Sequence, residues 1–234
     1  MPYDNNDIII LGDSFCSFRD DPTDWPVIIS SKLSNTTSSP RGVGFRGASW
    51  WSTRNRLIKE LEVAVPKILI LCHTEPNRVP SDYDYGINGM TVRSTATKFP
   101  NDNNLDDFKQ REIIKAGSLY YRELWSVNFH SWAQLAWFKE LDELLDKYAV
   151  PCVIHLRCFD WTVDYVFKNG ITIEETLFDF SVLDDTVNHH YFRNHFTTEM
   201  NETIGKTLLN IIENYDANTG LVKLNLPKNT PVLK

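Results

Sequence analysis

The sequence predicts an α/β chain in which a mostly parallel sheet lies between two layers of helices, and three observations predict it. Asp7 to Leu11, Ile68 to Cys72 and Pro151 to Leu156 are short apolar runs, rich in β-branched residues and without polar alternation. Such runs suit strands buried on both faces, as the strands of a parallel sheet are. Stretches with helical spacing stand between them, and strands that alternate with helices build a three-layer α/β/α sandwich.

Taken in order, Ile8-Ile9-Ile10-Leu11 reads as the first strand, and Gly12-Asp13-Ser14 breaks it sharply. Trp25 to Leu33 reads as a helix with Pro26 in its first turn, where the missing N–H does no harm. The segment from Pro40 to Gly47 is Gly-rich and loop-like. Ser49 to Val63 returns to helical spacing, with Trp50, Leu57 and Leu61 on one side, and Pro66-Lys67 opens the second strand run.

From Glu75 to about Ser118 the chain changes character. It is rich in Asp, Asn, Pro, Tyr and Gly and holds no buried run. The expectation is one domain, 1–234, with an inserted segment at about 76–118 that serves as a cap over the sheet edge or as an arm for homo-oligomer formation. Ser118 to Tyr148 reads as a long helical region, with a core-facing apolar stripe from Trp132 to Leu145. Pro151 to Leu156 is the third strand run. Asp160 to Val187 reads as irregular, with a short helix near Glu174. Thr197 to Tyr215 reads as a closing amphipathic helix, and Leu221 to Lys234 as a peripheral tail.

Composition narrows the function classes. A hydrophobic share of 42% and a charged share of 24% over 234 residues belong to a globular chain with a sizeable core. A formal net charge of -7 argues against a nucleic-acid binder, which needs basic surface to displace phosphate counterions. Arg41, Arg46, Arg54 and Arg56 form a local basic run, which reads as a solvated face. The polar, acidic N-terminus carries no secretory signal pattern, and no apolar run is long enough to span a bilayer. Cys16, Cys72, Cys152 and Cys158 lack C-x-x-C spacing and are expected to be reduced thiols of a cytoplasmic protein.

The candidate chemistry begins at Ser14. It directly follows a buried strand, and ligands of open parallel sheets bind beyond the carboxyl ends of the strands. A serine there can attack a carbonyl if a base lies beside it; the plainer alternative is an N-cap. His195 is the candidate base, on a loop just before the closing helix. His189 and His190 lie near it, but their spacing to His195 fits no metal-ligand pattern, so no metal or other cofactor is expected. His73, His130 and His155 are assigned to structure or solvent, and Asp13 to structure. Trp50 and Trp51 either line an acyl or sugar pocket or close the core-facing side of their helix.

Together these segments resemble a known family. Ile8-Ile9-Ile10-Leu11-Gly12-Asp13-Ser14-Phe15 resembles the first block of the SGNH, or GDSL-like, hydrolases. Gly44-Phe45-Arg46-Gly47-Ala48-Ser49 is similar to the second block, and Asn194-His195 with its following turn and helix to the last. The G-x-S-x-G elbow of the α/β-hydrolases is absent around Ser14. The resemblance implies a flavodoxin-like sandwich, Ser14 as nucleophile, His195 as base, and an oxyanion hole formed by the Ser14 N–H, Gly47 and a third-block asparagine. Two positions depart from the pattern. Where the family's third block usually reads Gly-x-Asn-Asp, this chain has His73-Thr74-Glu75-Pro76-Asn77. Straight alignment puts Glu75 at the asparagine, and Asn77 is the nearest replacement. Phe192 stands three residues before His195, where the family has aspartate. Either Ser14 and His195 act as a dyad, or Asp184 or Asp185 reaches the imidazole.

The expected activity is hydrolysis of a carboxylic ester, a short acyl or O-acetyl group on a small molecule or carbohydrate, with Trp50 and Glu75 as substrate-side candidates. No nucleic-acid or membrane partner is expected. Two alternatives stay open: an SGNH-fold binding or assembly module with weakened catalysis, and an acyltransferase on the same site.

Overall fold

Short apolar runs pair in register to form the centre of the molecule. The computed structural model describes residues 7–17, 21–34, 41, 44, 48–74, 78, 115–117, 119–159, 164–181, 195–214 and 220–226. Within them, β1 (Ile8–Gly12), β2 (Ile68–His73), β3 (Val153–Arg157), β4 (Gly170–Thr176) and β5 (Gly220–Val222) form one sheet in the order β1-β2-β3-β4-β5, every pair parallel. Ile8 lies opposite Ile68, and Leu69 opposite Val153.

Alternation along the strands sends side chains to opposite faces, and helices cover both. Ile8, Ile10, Ile68, Ile70 and Ile154 share one buried cluster with Trp25, Ile29 and Leu33 of α1 (Trp25–Ser34) and with Ile204, Leu208 and Ile212 of α4 (Thr198–Glu213). Ile9, Leu11, Leu69, Leu71 and Val153 face the other way. They pack on Leu57 and Leu61 of α2 (Trp50–Val63) and on Trp137, Phe138, Leu141 and Leu145 of α3 (Val127–Lys147). The strands therefore read as unbroken apolar runs because neither face meets water. The chain is α/β, a parallel sheet with helices on both sides.

One isolated contact shows where the winding of the chain turns. Ile9 bridges Arg41 in parallel fashion, and Ile10 N donates to Arg41 O at 3.0 Å. Residue 41 thus lies on the far side of β1 from β2. The chain leaves β1 through α1 toward that side, then returns through α2 to β2. The direction of winding reverses between β1 and β2, and such a reversal leaves a crevice at the carboxyl ends of the strands. Arg41 pairs with Glu60 of α2 at 3.2 Å, and Arg54 pairs with Glu140 of α3. Those two arginines of the basic run tie elements together, so the expected solvated face is corrected for both.

The structure departs from expectation in three places. Residues 170–176 form β4, followed by a 3-10 turn at Leu177–Phe180, where irregular chain with a short helix near Glu174 was expected. Ile171 and Ile173 find burial against the sheet, and that outweighs the weak strand propensity of the Glu174-Glu175 end. Residues 220–226 are not peripheral. β5 pairs with β4, Leu224 is buried, and Glu175 accepts the backbone N–H of Leu224 and Asn225. The long helical region is divided, with a π-helical stretch at Tyr120–Leu124 and a fresh start at Ser126, whose side chain caps α3. The expected insertion at about 76–118 lies outside the described residues, apart from Arg78 and 115–117. No helix among the described residues is long and apolar enough to cross a membrane.

Two histidines sit inside the sheet's α3 side. His155 of β3 is fully buried and stacks on His73 of β2, ring centroids 4.4 Å apart, with a hydrogen bond between His155 Nε2 and His73 Nδ1. His155 Nδ1 faces the Tyr165 carbonyl at 3.2 Å, and a carbonyl only accepts. The Nδ1 proton is thereby fixed on His155, its Nε2 accepts, and His73 Nδ1 donates. Burial holds His155 down to about 3 and pushes His73 well below the usual range as well. An unfolded histidine titrates near about 6.5. Between that value and 3 the unfolded chain binds more protons, so stability falls as the solution is acidified through this window. Urea unfolding at pH 7.5 and pH 5 should show the midpoint dropping at the lower pH. His73→Asn/His155→Asn should lower the midpoint at pH 7.5 and flatten its dependence on pH.

Candidate active site

At the carboxyl end of β1 the chain has no room for a side chain. A Cβ at Gly12 would stand 2.1 Å from the Cys72 carbonyl oxygen and 2.6 Å from Cys72 Cβ, and its φ of 156° suits glycine. Beyond it, Asp13 caps a short 3-10 turn, Ser14–Cys16, through a hydrogen bond from Phe15 N to Asp13 Oδ1 at 3.0 Å. The turn lifts Ser14, half-buried, at the edge where the winding reverses. Gly44 closes against the same turn, where a Cβ would meet Asp13 O at 2.2 Å and Cys16 Sγ at 2.3 Å.

His195 arrives from the far end of the sequence. Phe196 is fully buried, and the Thr197 hydroxyl caps α4 by accepting from Met200 N. Just before that anchor His195 takes φ 69°, a left-handed conformation that costs a non-glycine residue roughly 1 kcal/mol or more. Its Nε2 lies 2.8 Å from Ser14 Oγ, and its ring packs on Phe15 at 4.7 Å between centroids. With the proton on Nδ1, Nε2 accepts from the serine hydroxyl, the arrangement a general base needs.

Buried hydrogen bonds hold these two ends of the chain in place. Trp25 Nε1 donates to Phe15 O at 2.9 Å, and Trp25 N donates to Asn201 Oδ1 of α4 at 3.3 Å. Gly205 lets α4 approach Ile28 of α1 closely, since a Cβ there would be 3.1 Å from the isoleucine. The serine turn, α1 and α4 are thus one packed unit.

Beneath Ser14 the Asp13 carboxylate is completely buried. Cys158 Sγ donates to its Oδ1 at 3.2 Å, and Arg78 Nη2 lies 3.3 Å from its Oδ2. Burial, then the adjacent carboxylate, push the Cys158 thiol well up, which keeps it a donor. Cys72 is likewise raised by burial, with Cys16 beside it. None of the four cysteines is bonded to another, and thiols raised by burial, as Cys72, Cys152 and Cys158 are, make poor nucleophiles.

The structure therefore brings Ser14 and His195 together. Trp50 leans on Trp137 at 5.9 Å at the margin of the α3-side core, while neighbouring Trp51 is exposed with the Arg54 guanidinium 5.1 Å from its ring centre. Gly47, Glu75, Asn77, Asp184 and Asp185 lie outside the described residues, as do His189 and His190. Among the described residues no group of three or more His, Cys, Asp or Glu side chains is arranged to hold a metal ion. Sequence reasoning passed over Arg78. The signal for it was Asp13 itself, an acidic residue inside an apolar turn, which requires a cation or several donors when buried.

Neither a family model, nor a curated protein, nor a solved structure matches this chain.

The tight seat of the serine turn gives a direct expectation. Gly12→Ala and Gly44→Ala should each destabilise by more than about 3 kcal/mol, because backbone rather than a flexible side-chain tip meets the new methyl group. Chemical denaturation of the two variants beside Gly220→Ala, where nothing lies within 4 Å, tests whether close packing is the cause.

Proposed function

We propose that this chain is a serine hydrolase of the SGNH type, cleaving a carboxylic ester with a short acyl or O-acetyl group on a small molecule or carbohydrate. The observation that carries the reading is the 2.8 Å approach of His195 Nε2 to Ser14 Oγ across 181 positions of sequence. It joins the first and last of the segments that resemble that family, at the sheet edge where ligands bind in folds of this kind.

In this scheme Ser14 Oγ attacks the ester carbonyl while His195 takes its proton. The tetrahedral oxyanion is received by the Ser14 N–H, with Gly47 and Asn77 as the further donors that the resemblance assigns. Collapse breaks the ester bond, and His195 returns the proton to the leaving alcohol. Water then attacks the acyl-serine with His195 again as base, releasing the carboxylic acid and free Ser14. No cofactor enters the cycle.

A fluorophosphonate probe should label the wild-type protein and fail to label Ser14→Ala. Hydrolysis of p-nitrophenyl acetate should fall at least about 10³-fold in Ser14→Ala and in His195→Ala, since members of a nucleophile–base pair act as one unit. Turnover that survives either substitution would remove the proposal. A panel of acetylated sugars, assayed by acetate release, then defines the substrate. An Asp184→Asn or Asp185→Asn change that lowers kcat, by up to about 10⁴-fold in a comparable triad, identifies an orienting carboxylate, and a Ser14–His195 dyad leaves kcat unchanged in both.

A further inference from the structure

Arg78 is buried, 6% exposed, and stands at the point where three loops of the carboxyl edge meet. Its Nη1 donates to Ala48 O at 3.0 Å, at the entry to α2. Its Nη2 lies 3.3 Å from Asp13 Oδ2, one residue before Ser14. Its Cζ sits 5.9 Å from the centre of the Phe159 ring, which packs edge-on against Phe15 at 5.4 Å; Phe15 in turn packs on His195. In the sequence Arg78 directly follows Asn77, and Ala48 directly follows Gly47.

We infer that Arg78 is a positioning residue for the hydrolytic site, an inference that rests on the reading proposed above. The guanidinium is planar and keeps its charge when buried, so one group can donate a hydrogen bond and hold an ion pair at once. Here Nη1 donates to Ala48 O in the segment entering α2 and Nη2 makes an ion pair with Asp13 of the serine turn, while the arginine itself follows β2 in the chain. One side chain thereby links the serine turn to Ala48, and in the sequence Ala48 and Arg78 directly follow Gly47 and Asn77, the further donors that the resemblance assigns. Donors aimed at a developing oxyanion work only when held in advance, and small misplacements are costly.

The same contact has an electrostatic side. Asp13 places a buried carboxylate one residue before Ser14, whose N–H would receive the oxyanion that develops on the substrate carbonyl during attack. Arg78 offsets the carboxylate's charge. Without it, the transition-state oxyanion forms beside an uncompensated anion in a medium that screens poorly.

The test is kcat per active site, with sites counted by fluorophosphonate titration so that any unfolded fraction drops out. Arg78→Gln should lose about ten- to a hundred-fold in kcat with KM changed less than about three-fold, and its labelling should slow in step. Arg78→Lys keeps the charge without the planar guanidinium and should fall between Arg78→Gln and wild type. Asp13→Asn/Arg78→Gln should recover several-fold over Arg78→Gln, because the stranded anion is gone. A purely structural arginine would lower the titrated fraction and leave kcat per site alone. A value within about two-fold of wild type in Arg78→Gln overturns the inference, and if that variant does not fold the same threshold applies to Arg78→Lys. A wild-type protein that is neither labelled nor active overturns the hydrolase reading and this inference together, a result distinct from an Arg78 variant that keeps pace with a labelled wild type.

Discussion

Asp13 is completely buried; its Oδ1 accepts two hydrogen bonds, while its Oδ2 makes no hydrogen bond and meets Arg78 as an ion pair. Each group that satisfies it brings a different piece of chain. Phe15 N belongs to the serine turn, Cys158 to the end of β3, and Arg78 to the segment after β2. Through Ala48 O, Arg78 adds the approach to α2. Stranding such a group would cost several kcal/mol, so these segments cannot shift independently. The contacts of Asp13 therefore tie the serine turn to the end of β3 and, through Arg78, to Ala48, with Ser14 directly beside them.

The second half of the site depends on apolar packing. His195 is placed by α4, and α4 is placed by α1 through Asn201, Trp25 and the close approach at Gly205. Trp25 closes the circuit, since its indole donates to the carbonyl of Phe15 in the serine turn. The sheet contributes the common floor, because Ile8, Ile10, Ile68 and Ile70 lie in the same cluster as the helix residues above them. The left-handed backbone of His195 survives because buried Phe196 and the Thr197 cap determine its neighbours more strongly than its own preference does.

The parts of this molecule that were legible in the sequence are those in which local pattern and tertiary demand agree. β1, β2 and β3 are apolar because both faces are covered, and the α2 stripe of Leu57 and Leu61 faces the core that its spacing implies. β4 and β5 were hidden for opposite reasons. β4 ends in Glu174-Glu175, which weakens its strand signal, and β5 spans only three residues, with Leu221 exposed. The strand signal of each is partial, and pairing completes it, because β3 offers an edge to β4 and β4 then offers one to β5. Ser14 and His195 could be read from flanking pattern, but Arg78 could not. It recognises Asp13 and Ala48, 65 and 30 positions away, and nothing in its own neighbourhood marks it.

The orientation of the imidazole is where this chain departs most from the pattern of the proposed family. Phe192 occupies the position at which an aspartate would stand three residues before the histidine. A carboxylate in that place does two things: it fixes which ring nitrogen carries the proton, and it holds the ring plane. The second task is met here by shape. Phe15 packs against the ring at an angle of 45°, and the left-handed turn aims the side chain back at Ser14. The proton's location is a separate, electrostatic matter, and packing against an apolar ring does not decide it. Geometry of this kind therefore holds the base within reach of the serine whichever group meets Nδ1. In the proposed hydrolysis, the choice of that group would act on the rate through the tautomer, not through the position of the ring.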